Sequence, residues 1–129
     1  MNFIGHYIVA AAIFVALDAV WLKFVANSFY KKHLGGLLAK KPNFLAAAIF
    51  YLLYIVGIII FAVNPALDEE SVVYALSHGA LLGLLMYATY DLTNQATLKN
   101  WPAKITYVDM AWGTFATALV STLTYLVVS

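Results

Sequence analysis

The sequence predicts an all-α polytopic membrane protein, four transmembrane helices in one bundle with the N-terminus and C-terminus outside. Three observations predict it. The chain is 64% hydrophobic. Only 10% of its 129 residues are charged, against about 25% in a typical soluble domain. Its apolar residues gather into four runs of about 20, the length a helix needs to cross the hydrocarbon core.

The runs cover approximately residues 3–25, 44–63, 71–90 and 105–128, and together make one domain over 1–129. Breakers and charges separate them. Lys31, Lys32, Lys40, Lys41 and Pro42 part the first two. Asn64, Pro65, Asp68, Glu69 and Glu70 part the second and third. Asn94, Lys99, Asn100 and Pro102 part the third and fourth. The first run lacks a basic segment before it, so it is expected to be a retained span and not a cleaved signal.

Lysine placement orients the bundle. The first and third connections hold Lys31, Lys32, Lys40, Lys41, Lys99 and Lys104, while the second is acidic. The positive-inside rule then places the first and third connections in the cytoplasm. Connection one also carries Phe29, Tyr30, Leu34, Leu37 and Leu38 among its lysines. That pattern suits a segment lying in the cytoplasmic interface. An ordinary basic loop interrupted at Gly35-Gly36 is the alternative.

Composition excludes several functions. The formal net charge is +1, with seven lysines and no arginine. Nothing there favours nucleic acid, and the missing guanidinium forks argue against a dedicated nucleotide site. There is no cysteine, hence no disulfide, no thiolate catalysis and no zinc–thiolate site.

The acids carry the chemistry. A carboxylate in hydrocarbon costs a few kcal/mol or more, so an intramembrane acid marks a functional site by default. At about 1.5 Å per residue, Asp18 lies roughly 10 Å inside the cytoplasmic boundary. Asp109 lies at a similar depth, Asp91 is expected to cap the cytoplasmic end of the third helix, and Tyr51 comes level with Asp18. Tyr87, Tyr90, Asp91 and Asn94 share one helical face. Tyr51 and Tyr54 share a face of the second helix, and Asp18 and Trp21 one of the first. The candidate ligand-binding residues are therefore Asp18, Trp21, Tyr51, Tyr54, Tyr87, Tyr90, Asp91, Asn94, Asp109 and Trp112. Asp-x-x-Trp occurs twice, at Asp18/Trp21 and Asp109/Trp112, on helices of opposite direction; so short a repeat is read as coincidence.

Each acid has a structural alternative. Asp91 would hold loop backbone, Asp109 would complement the dipole at the start of its helix, and Asp18 would anchor a buried hydrogen-bond network. His6 and His78 fall in the outer half and are expected to hydrogen-bond neighbouring helices; a shared relay or metal site is the alternative. Gly79 and Gly83, spaced as Gly-x-x-x-Gly, permit close helix approach. With the hydroxyl stripe of Thr114, Thr117, Ser121 and Thr124 they would either close the bundle or build a homodimer.

The run Tyr90-Asp91-Leu92-Thr93-Asn94, followed by Ala96-Thr97-Leu98 and Trp101-Pro102, is distinctive. With Asp18-Ala-Val-Trp21-Leu22 and Asp109-Met-Ala-Trp112-Gly113, it resembles an uncharacterised family of small bacterial predicted membrane proteins, domain of unknown function 2177. The resemblance spans essentially the whole chain. It implies a four-span protein of the bacterial inner membrane and assigns no activity.

Three functions compete. The first is a bundle that binds or transports a small molecule, a cation, a proton or a lipid at a cytoplasmic-side acidic-aromatic pocket. Neighbouring buried acids titrate as a coupled set, as proton coupling requires. The layout is similar to that of small multidrug transporters, whose motifs are absent. The second is an intramembrane enzyme on a lipid or isoprenoid, with Asp18, Asp91 and Asp109 offering hard oxygen ligands to a divalent metal. The third is a structural or accessory subunit. No organic cofactor is expected, and the expected partners are the bilayer and the ligand.

Overall fold

The structure, a computed structural model, describes residues 2–129. Among the described residues there is helix and no strand, and four helical rods are long and apolar enough to cross a membrane. The first rod opens at Asn2, whose side chain accepts from the Gly5 N–H at 2.9 Å. Helix α1 (Phe3–Trp21) runs into a π-helical turn (Leu22–Ala26) and continues as α2 (Asn27–Leu34). Gly35 ends α2 with φ at +26°, a conformation that glycine tolerates best, and a short 3₁₀ turn follows (Gly35–Leu37). The first helix therefore runs well past residue 25. The lysine-rich stretch Asn27–Leu34 is a helical extension of it, not a loop.

The second rod is α3 (Phe44–Ile58), a second π turn (Ile59–Val63) and α4 (Asn64–Glu69). Asn43 caps α3 by accepting from the Ala46 N–H at 3.1 Å. Pro65, which has no N–H to return to the preceding turn, is the second residue after the π turn. Glu70, in a left-handed conformation, stops α4. Ser71 then caps α5 (Val72–Thr97) through the Tyr74 N–H, and α6 (Ala103–Val128) begins after Pro102.

Small residues decide the closest pairing, between α5 and α6. A Cβ added at Gly83 would stand 2.1 Å from the Gly113 carbonyl oxygen, and one at Gly79 would stand 2.7 Å from Ser121 Oγ. Gly79 and Gly83 are buried against α6 of the same chain. Of their two expected uses they serve the first: they close the bundle and leave no homodimer face of their own.

Helix α1 lies against α6 and α3, while α5 meets the second rod chiefly at the Ile59–Val63 turn. The core cluster holds Ala10, Phe14, Tyr54, Ile55, Ile58, Ile59, Val63 and Val120. It sits toward the end that the orientation rule assigns to the outside. Toward the other end α3 and α5 diverge. The outer surface is as apolar as the core: Phe44 and Leu45 are more than 70% exposed, and Phe24, Leu53 and Val73 project outward likewise. Such a surface belongs in lipid.

Candidate functional site

Where α3 and α5 diverge, a cavity of about 530 Å³ opens among all four rods. Its size falls in the range of ligand pockets, about 300–1,000 Å³. Asp18 and Trp21 come from α1, Tyr51 from α3, Tyr87 and Tyr90 from α5, and Asp109 and Trp112 from α6. Seven of the ten residues selected from the sequence thus line one space. Phe14, Leu22, Tyr30, Ala47, Phe50 and Met86 complete it.

Two carboxylates face the cavity, each held by a phenol. The Tyr51 hydroxyl donates to Asp18 Oδ2 at 2.6 Å, and the Tyr30 hydroxyl donates to Asp109 Oδ1. The phenols replace part of the hydration that these nearly buried acids lose. Phe14 fixes the Tyr51 ring by an edge contact at 5.3 Å between centroids. Trp21 and Trp112 stack on each other within the same wall.

Tyr30 reaches Asp109 because of the π turn. The Asn27 N–H bonds to the Leu22 carbonyl, five residues back, so one extra residue enters the turn. At about 100° per residue, an uninterrupted α-helix would set Tyr30 about 120° around from Asp18. With one residue absorbed, the two stand effectively eleven apart, within about 20° of one face. The lysines of α2 stay exposed while Tyr30 turns inward.

Three selected residues lie elsewhere. Tyr54 is core: it is 1% exposed and its hydroxyl pairs with Thr117 Oγ1 at 2.6 Å. Asp91 is not a cap. Helix α5 continues to Thr97, and Asp91 is fully buried with neither carboxylate oxygen hydrogen-bonded. Its backbone carbonyl accepts from Thr106 at 3.4 Å, and Thr106 in turn accepts from the Trp101 indole at 3.0 Å. Asn94 lies one turn beyond and does not line the cavity. Asp109 is the seventh residue of α6, past the first turn in which a helix dipole acts.

The three acids therefore do not converge. Among the described residues no group of three histidine, aspartate or glutamate side chains is placed to hold a metal ion. His6 Nδ1 lies 3.1 Å from Asn64 Oδ1, and His78 stacks on Tyr74 at 3.6 Å, so each has its own partner.

The residues that sequence reasoning missed were hidden for different reasons. Tyr30 sits among lysines, and only the π turn brings it to the site. Phe14 lies one turn before Asp18 on the same helical face, but an apolar side chain in a spanning run carries no signal of its own. Gly113 carried a hidden signal: a Cβ there would meet the Tyr87 ring at 2.2 Å, so this glycine makes room for Tyr87.

Chemically, the lining combines two carboxylates, three phenols beside Tyr90 and the indole pair, with no lysine or histidine. Aromatic faces and carboxylates both attract cations, and the cation–π attraction strengthens away from water. An anionic group would face two acids with no base to offset them.

No curated protein and no solved structure matches this chain. The sequence model of the family described as predicted membrane protein, DUF2177, matches residues 3–126. With that match over nearly its full length and four helices fit to cross a membrane, the chain belongs to the DUF2177 family of predicted membrane proteins.

Proposed function

We propose that this protein binds a small positively charged molecule in the acid-aromatic cavity, on the cytoplasmic side of the membrane. The observation that carries this reading is the pairing of Asp18 and Asp109 with stacked indoles around one space that contains no base. The lysine distribution supports the orientation, with the Asp18 end facing the cytoplasm and both termini outside. The volume admits a group larger than a bare metal ion or a proton, and the aromatic faces suit a weakly hydrated organic cation.

The test is titration of the protein in lipid nanodiscs with tetraethylammonium, read by tryptophan fluorescence. Trp101→Phe removes the one indole outside the cavity wall. Saturable quenching is expected, and Asp18→Asn and Asp109→Asn, each checked for folding by circular dichroism, should each weaken it at least tenfold. Asparagine keeps shape and hydrogen bonding but loses charge. Binding unaffected by both substitutions would leave the acids with a structural role only.

A further inference from the structure

The cavity has two ends of different character, and they indicate how a ligand reaches it. At the cytoplasmic end α2 lies against α6, and the Tyr30 hydroxyl closes on Asp109. That end is stoppered by the protein itself. The side between α3 and α5 is not. Phe50 is 42% exposed and Tyr90 is 59% exposed, although both line the cavity. Ala47 is also exposed there, and Met86 is half-buried behind the opening.

This gap lies within the membrane-spanning part of both rods. Ala47 is three residues into α3, about 4.5 Å from its start. Tyr90 sits beside Trp101, in edge contact at 6.0 Å, at the level where aromatic residues meet the headgroups. An opening in that place faces the acyl chains just beneath the headgroups of one leaflet. Its rim is largely apolar and uncharged: a methyl group, a phenyl ring, a thioether and the ring of a tyrosine. Charge lies only at the inner end, on Asp18 and Asp109.

From this polarity we infer that the ligand is a membrane-resident amphiphile with a cationic head. It enters sideways between α3 and α5, seats its head between Asp18 and Asp109, and leaves its hydrocarbon tail in the portal or the leaflet. The inference rests on the cation-site reading and goes further by naming a tail and a route. A zwitterionic or anionic phospholipid is disfavoured, since its phosphate would enter beside two carboxylates. A head-only cation would gain nothing from the apolar rim.

Two probes with the same head separate these cases. Tetramethylammonium and dodecyltrimethylammonium are titrated into nanodiscs carrying Trp101→Phe, with the tailed probe expressed as mole fraction in lipid. Ala47→Phe places a ring in the portal mouth, and Ala47→Leu is a smaller plug. Both changes fall on an exposed helical position, and thermal melts confirm folding. The expected result is graded: Ala47→Leu weakens the tailed probe, and Ala47→Phe weakens it at least tenfold more than it weakens tetramethylammonium. Equal effects on both probes, or none on either, would overturn lateral entry while leaving a cation site in place. Failure of both probes to bind the unplugged protein would overturn the cation site and this inference together. Loss of both on Asp18→Asn would locate the head as inferred.

Discussion

Trp21 and Trp112 lie face to face, with ring centroids 4.3 Å apart and planes within 8° of parallel. Each follows its aspartate by three residues, on rods that run in opposite directions. Asp18 therefore lies on one side of the indole pair and Asp109 on the other, separated along the bundle by about 9 Å. The two Asp-x-x-Trp stretches, taken as coincidence in the sequence, meet in space at their tryptophans. They set the two acids at different levels of one cavity, with the indole pair in the wall between those levels.

The indole stack has a measurable energy. Offset aromatic pairs contribute about 0.5–1.5 kcal/mol beyond their buried area. A double-mutant cycle on Trp21→Leu and Trp112→Leu should give a coupling of that size in thermal or denaturant unfolding. A coupling near zero would mean that the rings do not stack in the membrane.

The contact of Tyr30 with Asp109 fastens α2 to the bundle. Tyr30→Phe removes a hydrogen bond to an acid, worth about 1–3 kcal/mol when the donor is lost from a partly buried site. The outcome expected is looser docking of α2 and at least several-fold faster tryptic cleavage at Lys31 and Lys32, both exposed. Unchanged cleavage would place the restraint on α2 elsewhere.

Protons and an organic cation compete for the same carboxylates. Protonating Asp18 or Asp109 removes the charge that attracts the ligand, so affinity for tetraethylammonium should fall as pH falls and recover as it rises. The two acids share one cavity, so the dependence should be broader than that of one group. Asp109→Asn should leave a shallower dependence. Affinity that rose on acidification would have the wrong sign for a carboxylate-held cation.

Two glycines of similar sequence setting should respond in opposite ways. Gly83→Ala forces a methyl group into the α6 backbone, and overpacking of this kind costs about 1–3 kcal/mol or more. Gly57 has nothing within 4 Å of its missing Cβ, so Gly57→Ala should be neutral or stabilising by up to about 1 kcal/mol. Thermal melts of the two variants in one detergent make the comparison. Equal losses would remove the case for close packing of α5 on α6.

The four rods were legible because each is an apolar run of spanning length bounded by lysine, proline or acidic residues. Three of their ends were not: the second rod runs on through α4 to Glu69, and two others bear on the site. The first rod continues through Lys31 and Lys32 because the helical ladder extends beyond the hydrocarbon, where charge costs little. Helix α5 continues past Asp91 to Thr97 for the same reason, which turned an apparent cap into a buried carboxylate. Face-sharing for Asp18, Trp21, Tyr51 and Tyr87, and depth for Asp109, pick residues that line one cavity, since regular α-helices preserve both face and rise. Face-sharing misplaced Tyr54, whose face points to Thr117 and not to the cavity. It overlooked Tyr30, because a π turn has no side-chain signature in Leu22–Ala26.

That turn makes chain length a determinant of the site in its own right. Replacing Val25 by another apolar residue keeps the count and keeps Tyr30 in place. Deleting Val25 would let the segment relax to ordinary helix with Tyr30 still effectively eleven residues from Asp18, whereas inserting a residue there would swing α2 by about 100°. After such an insertion the phenol would leave Asp109, and Phe29 would take its angular position. A single-codon insertion in this stretch, though it alters no residue that lines the cavity, would take the hydroxyl out of the stopper, while a single-codon deletion would leave it in place.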